Sequence, residues 1–260
     1  MTNKLTQLFS SKPKNLLNIF FTAGYPKLED TTIILKELEE ANVDLVEIGI
    51  PFSDPLADGP TIQESSKVAL ENGMSIEKLF AQLTDFKNSN PDFKTPILLM
   101  GYLNPVMQYG LEKFCEKCAA VGVDGLIIPD LPMFIYQTEF KTAFEKHNIS
   151  NVFLVTPQTS EKRIREIDEN STGFIYAVSS ASTTGTKADF SAAADYLGKL
   201  RDMNLKTPVL TGFNIKNQQN FKDACSFVDG AIIGSEFIRQ ISAASDLSST
   251  IQGFVKSIKG

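Results

Sequence analysis

Short runs rich in Ile, Val, Leu and Phe recur along the chain at 17–23, 45–51, 96–102, 125–130, 151–157, 173–179, 208–213 and 230–235. Each is apolar on successive residues and bounded by turn formers, which predicts strands buried on both faces. Such strands pair in parallel, and parallel neighbours need long crossovers, usually helices. Between the runs the period changes to 3.6. Residues 29–41 carry Ile33, Ile34, Leu38 and Ala41 on one stripe, and 111–121 and 134–147 show comparable faces. Residues 75–87 open on Ser75 as a candidate N-cap, while 189–203 and 216–224 supply later crossovers. Asn42-Val43-Asp44 and Gly122-Val123-Asp124 end two helices in the same way. Eight such units without a linker-like stretch predict an α/β fold, a single-domain closed (β/α)8 barrel over 1–260 with a short N-terminal helix. The open, doubly wound sheet is the alternative, because strand order is not readable from one sequence.

Composition narrows this further. A length of 260 residues suits one such barrel, whereas two independent domains would each have a modest core. A net charge of -6, with no Lys/Arg-rich run, opposes binding to nucleic acid or anionic lipid. The first residues hold no continuous apolar stretch, and no later run approaches a membrane span, so no membrane association and a cytoplasmic location are expected. Three cysteines are too few for a disulfide framework. Cys115 and Cys118 spell C-x-x-C inside a helical stretch with no second pair, which favours helix-face thiols over zinc ligands.

Elimination is informative about chemistry. His147 is the one histidine, placed near a helix end where a solvated role fits, so histidine-ligated metals and His-based triads are disfavoured. None of the eight runs contains a lysine that a Schiff base would use. No metal is expected. Carboxylates remain. Glu47 stands mid-strand in Leu45-Val-Glu-Ile-Gly-Ile50, where burial of a charge is costly unless it is paired or useful. It either faces a helix and pairs with a Lys or Arg, or it serves catalysis, and the second reading is favoured. The next segment, 51–60, is a proline-stiffened loop on the catalytic face carrying Asp54 and Asp58. Two acids in different environments can divide into proton donor and acceptor. The alternative, that these aspartates close turns and cap the next helix, is favoured for Asp54.

The last third suggests an anion site. Thr211-Gly-Phe-Asn-Ile215 follows the seventh run and Gly234-Ser235 closes the eighth, where barrels bind phosphate with backbone N–H groups and a short helix. The segment 179–186, rich in Ser and Thr, has the small polar character of a lid.

Four motifs, Phe20-Phe-Thr-Ala-Gly-Tyr-Pro26, the long Leu45-to-Pro60 segment, Gly122-Val-Asp-Gly-Leu-Ile-Ile-Pro-Asp-Leu-Pro132 and Gly230-Ala-Ile-Ile-Gly-Ser235, resemble the alpha subunit of tryptophan synthase over essentially the whole chain. The resemblance implies retro-aldol cleavage of indole-3-glycerol phosphate to indole and glyceraldehyde 3-phosphate. Glu47 would protonate indole C3 and help to deprotonate the glycerol hydroxyl, and Asp58 would take or stabilise the indole N–H proton. Phe20, Leu99, Ile127 and Leu154 would form the indole pocket, with Tyr176 near the glycerol chain and Thr184 also binding substrate. Gly185, Phe213, Asn214, Gly234 and Ser235 would hold the phosphate.

No cofactor is implied in this chain. Pyridoxal phosphate is expected in a beta subunit, the partner in an alpha2beta2 heterotetramer, contacted through Phe52, Asp54, Pro55 and Leu56. The chain departs from many relatives at Asn214, where they carry glycine, and at Ser180 and Ser182, where they carry arginine and glycine. Those changes bear on the phosphate site and on loop closure. Sibling phosphate-binding barrels resemble the chain poorly around Glu47 and Asp58. A catalytically silent barrel that binds and activates a beta subunit is the remaining alternative.

Overall fold

The computed structural model describes residues 3–56, 58–178, 187–212 and 215–260, the side chains of 187–192 excepted. Eight strands run in parallel: β1 (Leu16–Thr22), β2 (Leu45–Gly49), β3 (Ile97–Met100), β4 (Gly125–Ile127), β5 (Ser150–Val155), β6 (Ile175–Ala177), β7 (Val209–Thr211) and β8 (Gly230–Ile233). They pair in chain order, and β8 returns to β1 in the register Leu16↔Gly230. The closed barrel therefore holds, and the open-sheet alternative does not. The strands are shorter than the apolar runs because the later residues, such as Ile128 and Tyr102, remain buried after leaving the ladder.

Side chains alternate between two apolar clusters. Ile19, Ile48, Leu99 and Leu126 pack outward with helix residues such as Leu38 and Phe114. Phe20, Leu45, Leu98, Ile127, Val152 and Leu210 form the interior. Because both faces are covered, every residue of β1, β2 and β8 is buried.

Helices Asp30–Glu40, Ile76–Ser89, Leu111–Val121, Lys187–Asp202 and Gln218–Cys225 match the expected crossovers within a few residues. Ser75 is an N-cap, its side chain accepting from Lys78 N–H. The stretch 134–147 is less regular: a short turn Met133–Ile135, a π-helical Tyr136–Phe140 and helix Lys141–Lys146. Helices Pro60–Glu71, Leu103–Tyr109, Glu161–Asn170, Ser235–Ser242 and Leu247–Lys259 complete the outer layer.

The lower end of the barrel is tied by one repeated device. Asp44, Asp124 and Asp229, each preceded by valine, stand just before β2, β4 and β8. Their Oδ2 atoms accept from Leu17, Ile97 and Val209 N–H at 2.9, 3.1 and 2.8 Å, while their own N–H groups donate to the carbonyl oxygens of those same three residues. The expected N-terminal helix is Lys4–Ser11, capped by Asn3, and its Leu5 joins the interior cluster from below. Asn3 Nδ2 donates to Asp124 O and Ser150 Oγ, fixing this helix across the lower opening.

Candidate active site

Glu47 lies mid-way along β2, in register with Phe20 on β1 and Leu98 on β3, both interior residues. Its side chain is 0% exposed. Asn18, two residues before Phe20 on β1 and equally buried, donates from Nδ2 to Glu47 Oε1. Glu47 Oε2 has no hydrogen-bond partner among the described residues. Burial pushes its pKa from 4.5 up to about 8, opposed by the Asn18 hydrogen bond. The salt-bridged alternative fails: among the described residues no Lys or Arg pairs with it.

Asp58 enters from the loop after β2. Tyr102 donates its hydroxyl proton to Asp58 Oδ2 at 2.9 Å and accepts from Leu56 N–H at 3.1 Å, so one phenol braces the loop. Partial burial raises the Asp58 pKa, and the Tyr102 hydrogen bond lowers it. A pocket of about 300 Å³, counting its open mouth, lies beside Asp58 and is walled by Phe20, Met100, Tyr102 and Pro129. Tyr176 on β6 belongs to the interior. Its pKa is raised first by desolvation, then by the negative charges of Glu47 and Asp58, so the phenol senses both acids.

Glycines create the room. A Cβ on Gly49 would stand 2.6 Å from Phe20 Cζ, and one on Gly234 would stand 3.2 Å from Phe20 Cδ1. The ring is thus bounded by residues at the tops of β2 and β8. A Cβ on Gly212 would clash with the Tyr176 hydroxyl.

The structure brings Glu47, Asp58, Phe20, Ile127, Leu154 and Tyr176 to the interior and mouth of the barrel. Leu99 requires correction. It points outward into the helix-facing cluster, and Met100 takes the expected place in the pocket wall. Alternation forces the change, since Glu47 and Leu98 are in register on one face. Gly234 precedes helix Ser235–Ser242, so Gly234 and Ser235 sit at its N-terminus after β8. Thr184, Gly185, Phe213 and Asn214, with Ser180 and Ser182, lie outside the described residues.

On the rim, Leu56 is 82% exposed and Asp54 is exposed, accepting from Ser53 Oγ at 2.5 Å. Phe52 and Pro55 are half-buried, and the Phe52 ring packs on Tyr102 at 5.2 Å. Cys115 and Cys118 are buried in the outer cluster. His147 caps a helix end beside Glu112. No group of three or more His, Cys, Asp or Glu among the described residues could hold a metal ion, and no described helix is long and apolar enough to cross a membrane.

The family model for the tryptophan synthase alpha chain matches residues 6–258. The chain belongs to the tryptophan synthase alpha chain family. The Flavobacterium johnsoniae alpha chain is 52% identical over 258 residues, spanning 99% of this chain and 100% of the relative. That of Bacteroides fragilis is 52% identical over 237 residues, spanning 91% and 89%. Among solved structures, the Legionella pneumophila alpha chain superposes with a TM-score of 0.84 at 29% identity, covering 100% of this chain and 97% of that one. Mycobacterium tuberculosis tryptophan synthase gives 0.87 at 27% identity, with 100% of both covered. As a tryptophan synthase alpha chain, the protein is a lyase of tryptophan biosynthesis acting on indole-3-glycerol phosphate, and the pyridoxal phosphate of the assembly resides in the beta subunit.

Proposed function

We propose that Glu47 and Asp58 are the acid–base pair that cleaves indole-3-glycerol phosphate. The observation that carries this is a carboxyl wholly enclosed in the barrel, with one oxygen lacking a hydrogen-bond partner among the described residues, and burial pushes its pKa up to about 8. At neutral pH such a group holds its proton and can deliver it to a carbon base. Glu47 protonates indole C3 while Asp58 accepts the N–H proton, giving the indolenine. Glu47, now ionised, takes the glycerol hydroxyl proton; the carbon–carbon bond breaks and its electrons return to the ring. Asp58 then gives its proton back to nitrogen, and indole and glyceraldehyde 3-phosphate leave.

Phe20, Met100, Ile127 and Leu154 supply the apolar surface for indole, and Tyr176 faces the glycerol chain. Backbone N–H groups of Gly234 and Ser235 meet the phosphate, assisted by the helix that begins there. Gly185, Phe213 and Asn214 complete that cradle, and Thr184 binds the substrate. The rim around Phe52, Asp54, Pro55 and Leu56 meets the beta subunit, Leu56 supplying exposed apolar area. The reaction takes place in the cytoplasm, where free Cys115, Cys118 and Cys225 stay reduced.

The test is indole release from indole-3-glycerol phosphate by the purified chain, alone and with a beta subunit, beside Glu47→Gln. Activity raised by the partner and lost in the variant is expected, with kcat/KM falling as pH rises through about 8, where Glu47 loses its proton. A folded wild-type chain that is inactive under both conditions overturns the assignment in favour of a silent partner-binding barrel.

A further inference from the structure

Asn18 stands where the interior has no structural need of an amide. It lies within Leu16–Thr22, a strand buried throughout, and two residues before Phe20 on the interior face of β1. Its side chain is 0% exposed, its Nδ2 donates to Glu47 Oε1, and its Oδ1 has no partner among the described residues. An amide buried for packing alone would be disfavoured against leucine, because its unpaired oxygen costs desolvation energy. Its Nδ2 is an uncharged N–H donor, so it can hold a carboxyl oxygen without fixing the charge of the group.

Glu47 has to pass through both protonation states in each turnover. The ionised carboxylate accepts at Oε1, and the neutral acid, with its proton on Oε2, still accepts at Oε1 through its carbonyl oxygen, so one N–H donor serves both states. We propose that Asn18 is a positioning residue of the cleavage reaction: its amide holds Glu47 Oε1 in both protonation states and reserves Oε2 for the substrate. This rests on Glu47 being the acid–base group.

The surroundings leave Asn18 as the principal device for this. Phe20 on β1, Leu45 on β2, Leu98 and Met100 on β3 and Ile127 on β4 are apolar. The titratable groups that act on the same space are Tyr176 and Asp58, and both add negative charge or none. Among the described residues no cation pairs with Glu47, and the Asn18 amide is the partner that stabilises its ionised form.

The sign follows. Asn18 favours ionised Glu47, so its removal raises the pKa and moves the basic limb of the kcat/KM profile to higher pH, by about one to two units. The plateau falls as well, because the ionised form that accepts the hydroxyl proton is harder to reach. Asn18→Leu, of similar size, is measured against wild type and Glu47→Gln, with the thermal transition recorded for each. Protein labelled with 13C at glutamate carboxyls gives the Glu47 midpoint directly by NMR, its signal assigned by its absence in Glu47→Gln. Asn18→Asp serves as a second variant if leucine impairs folding; two adjacent carboxyls sharing a proton also raise the midpoint.

A higher NMR midpoint, with the basic limb displaced to match, supports the proposal. A lower plateau with an unmoved limb and midpoint shows packing alone and overturns it. Activity persisting in Glu47→Gln overturns instead the reading of Glu47 on which it rests.

Discussion

Glu47 makes stability and chemistry oppose each other at a single residue. Its folded pKa of about 8 lies above the ordinary 4.5. Below pH 4.5 the group is protonated in both folded and unfolded chains and makes no difference. Between 4.5 and about 8 the folded chain keeps a proton that the unfolded chain releases, so stability falls as pH rises, to a deficit on the order of 5 kcal/mol. Glu47→Gln, neutral throughout, is therefore expected to gain on wild type in urea unfolding between pH 5 and pH 9, with little difference near pH 4. An equal gap at all three values would contradict the raised pKa. The sequence betrayed this residue because an acid inside an apolar run is conspicuous. It did not betray Leu99 against Met100, since 97–100 is apolar at every position and the phase of alternation is invisible without the register to Glu47. Asn18 had the same signal as Glu47, a polar side chain in a buried run, but amides are common enough in sequence that only the contact reveals the pairing.

At the level of elements, the glycines at strand tops decide where aromatic rings can lie. Gly49→Ala places a methyl group where the Phe20 ring is, at 2.6 Å, so the ring or β2 must shift. A displacement near 1 Å at a substrate wall costs roughly 100-fold in rate, and kcat/KM for indole formation is expected to fall on that order while far-ultraviolet circular dichroism stays the same. The strands were legible because burial on both faces leaves an unbroken apolar run. Helices with a full stripe, such as Leu111–Val121, were legible to their ends. Glu161–Asn170 was harder, since it buries only Ile164 and Ile167 among eight other residues that are mostly charged. Leu103–Tyr109 follows directly on a buried Tyr102 and contains Pro105, so its start is masked by the end of the preceding run.

Across the whole molecule, the lower end is built for stability and the upper end for chemistry. Leu5→Ala removes an interior side chain of the helix that covers the lower opening, and about 2–5 kcal/mol of unfolding free energy is expected to go with it. Asp124→Ala leaves Ile97 N–H without its side-chain acceptor and removes the ion-pair partner of Lys4, which should cost about 1–3 kcal/mol. Both losses should appear as lower urea midpoints with kcat/KM for indole-3-glycerol phosphate close to wild type; a comparable fall in activity would show that the two ends are mechanically coupled. The order of strands, which no single sequence displays, comes from closure itself.

Phe20 gives that closure a further meaning. The ring belongs to β1, yet it is bounded by Gly49 at the top of β2 and by Gly234 where β8 gives way to its helix. The wall offered to indole is therefore a seam, completed only when the last strand has been stitched to the first. A barrel lacking that final pairing would retain much of its secondary structure while its reaction chamber stood unfinished. Turnover is then a stricter gauge of correct folding than helix content, and during refolding it should be the last native property to return.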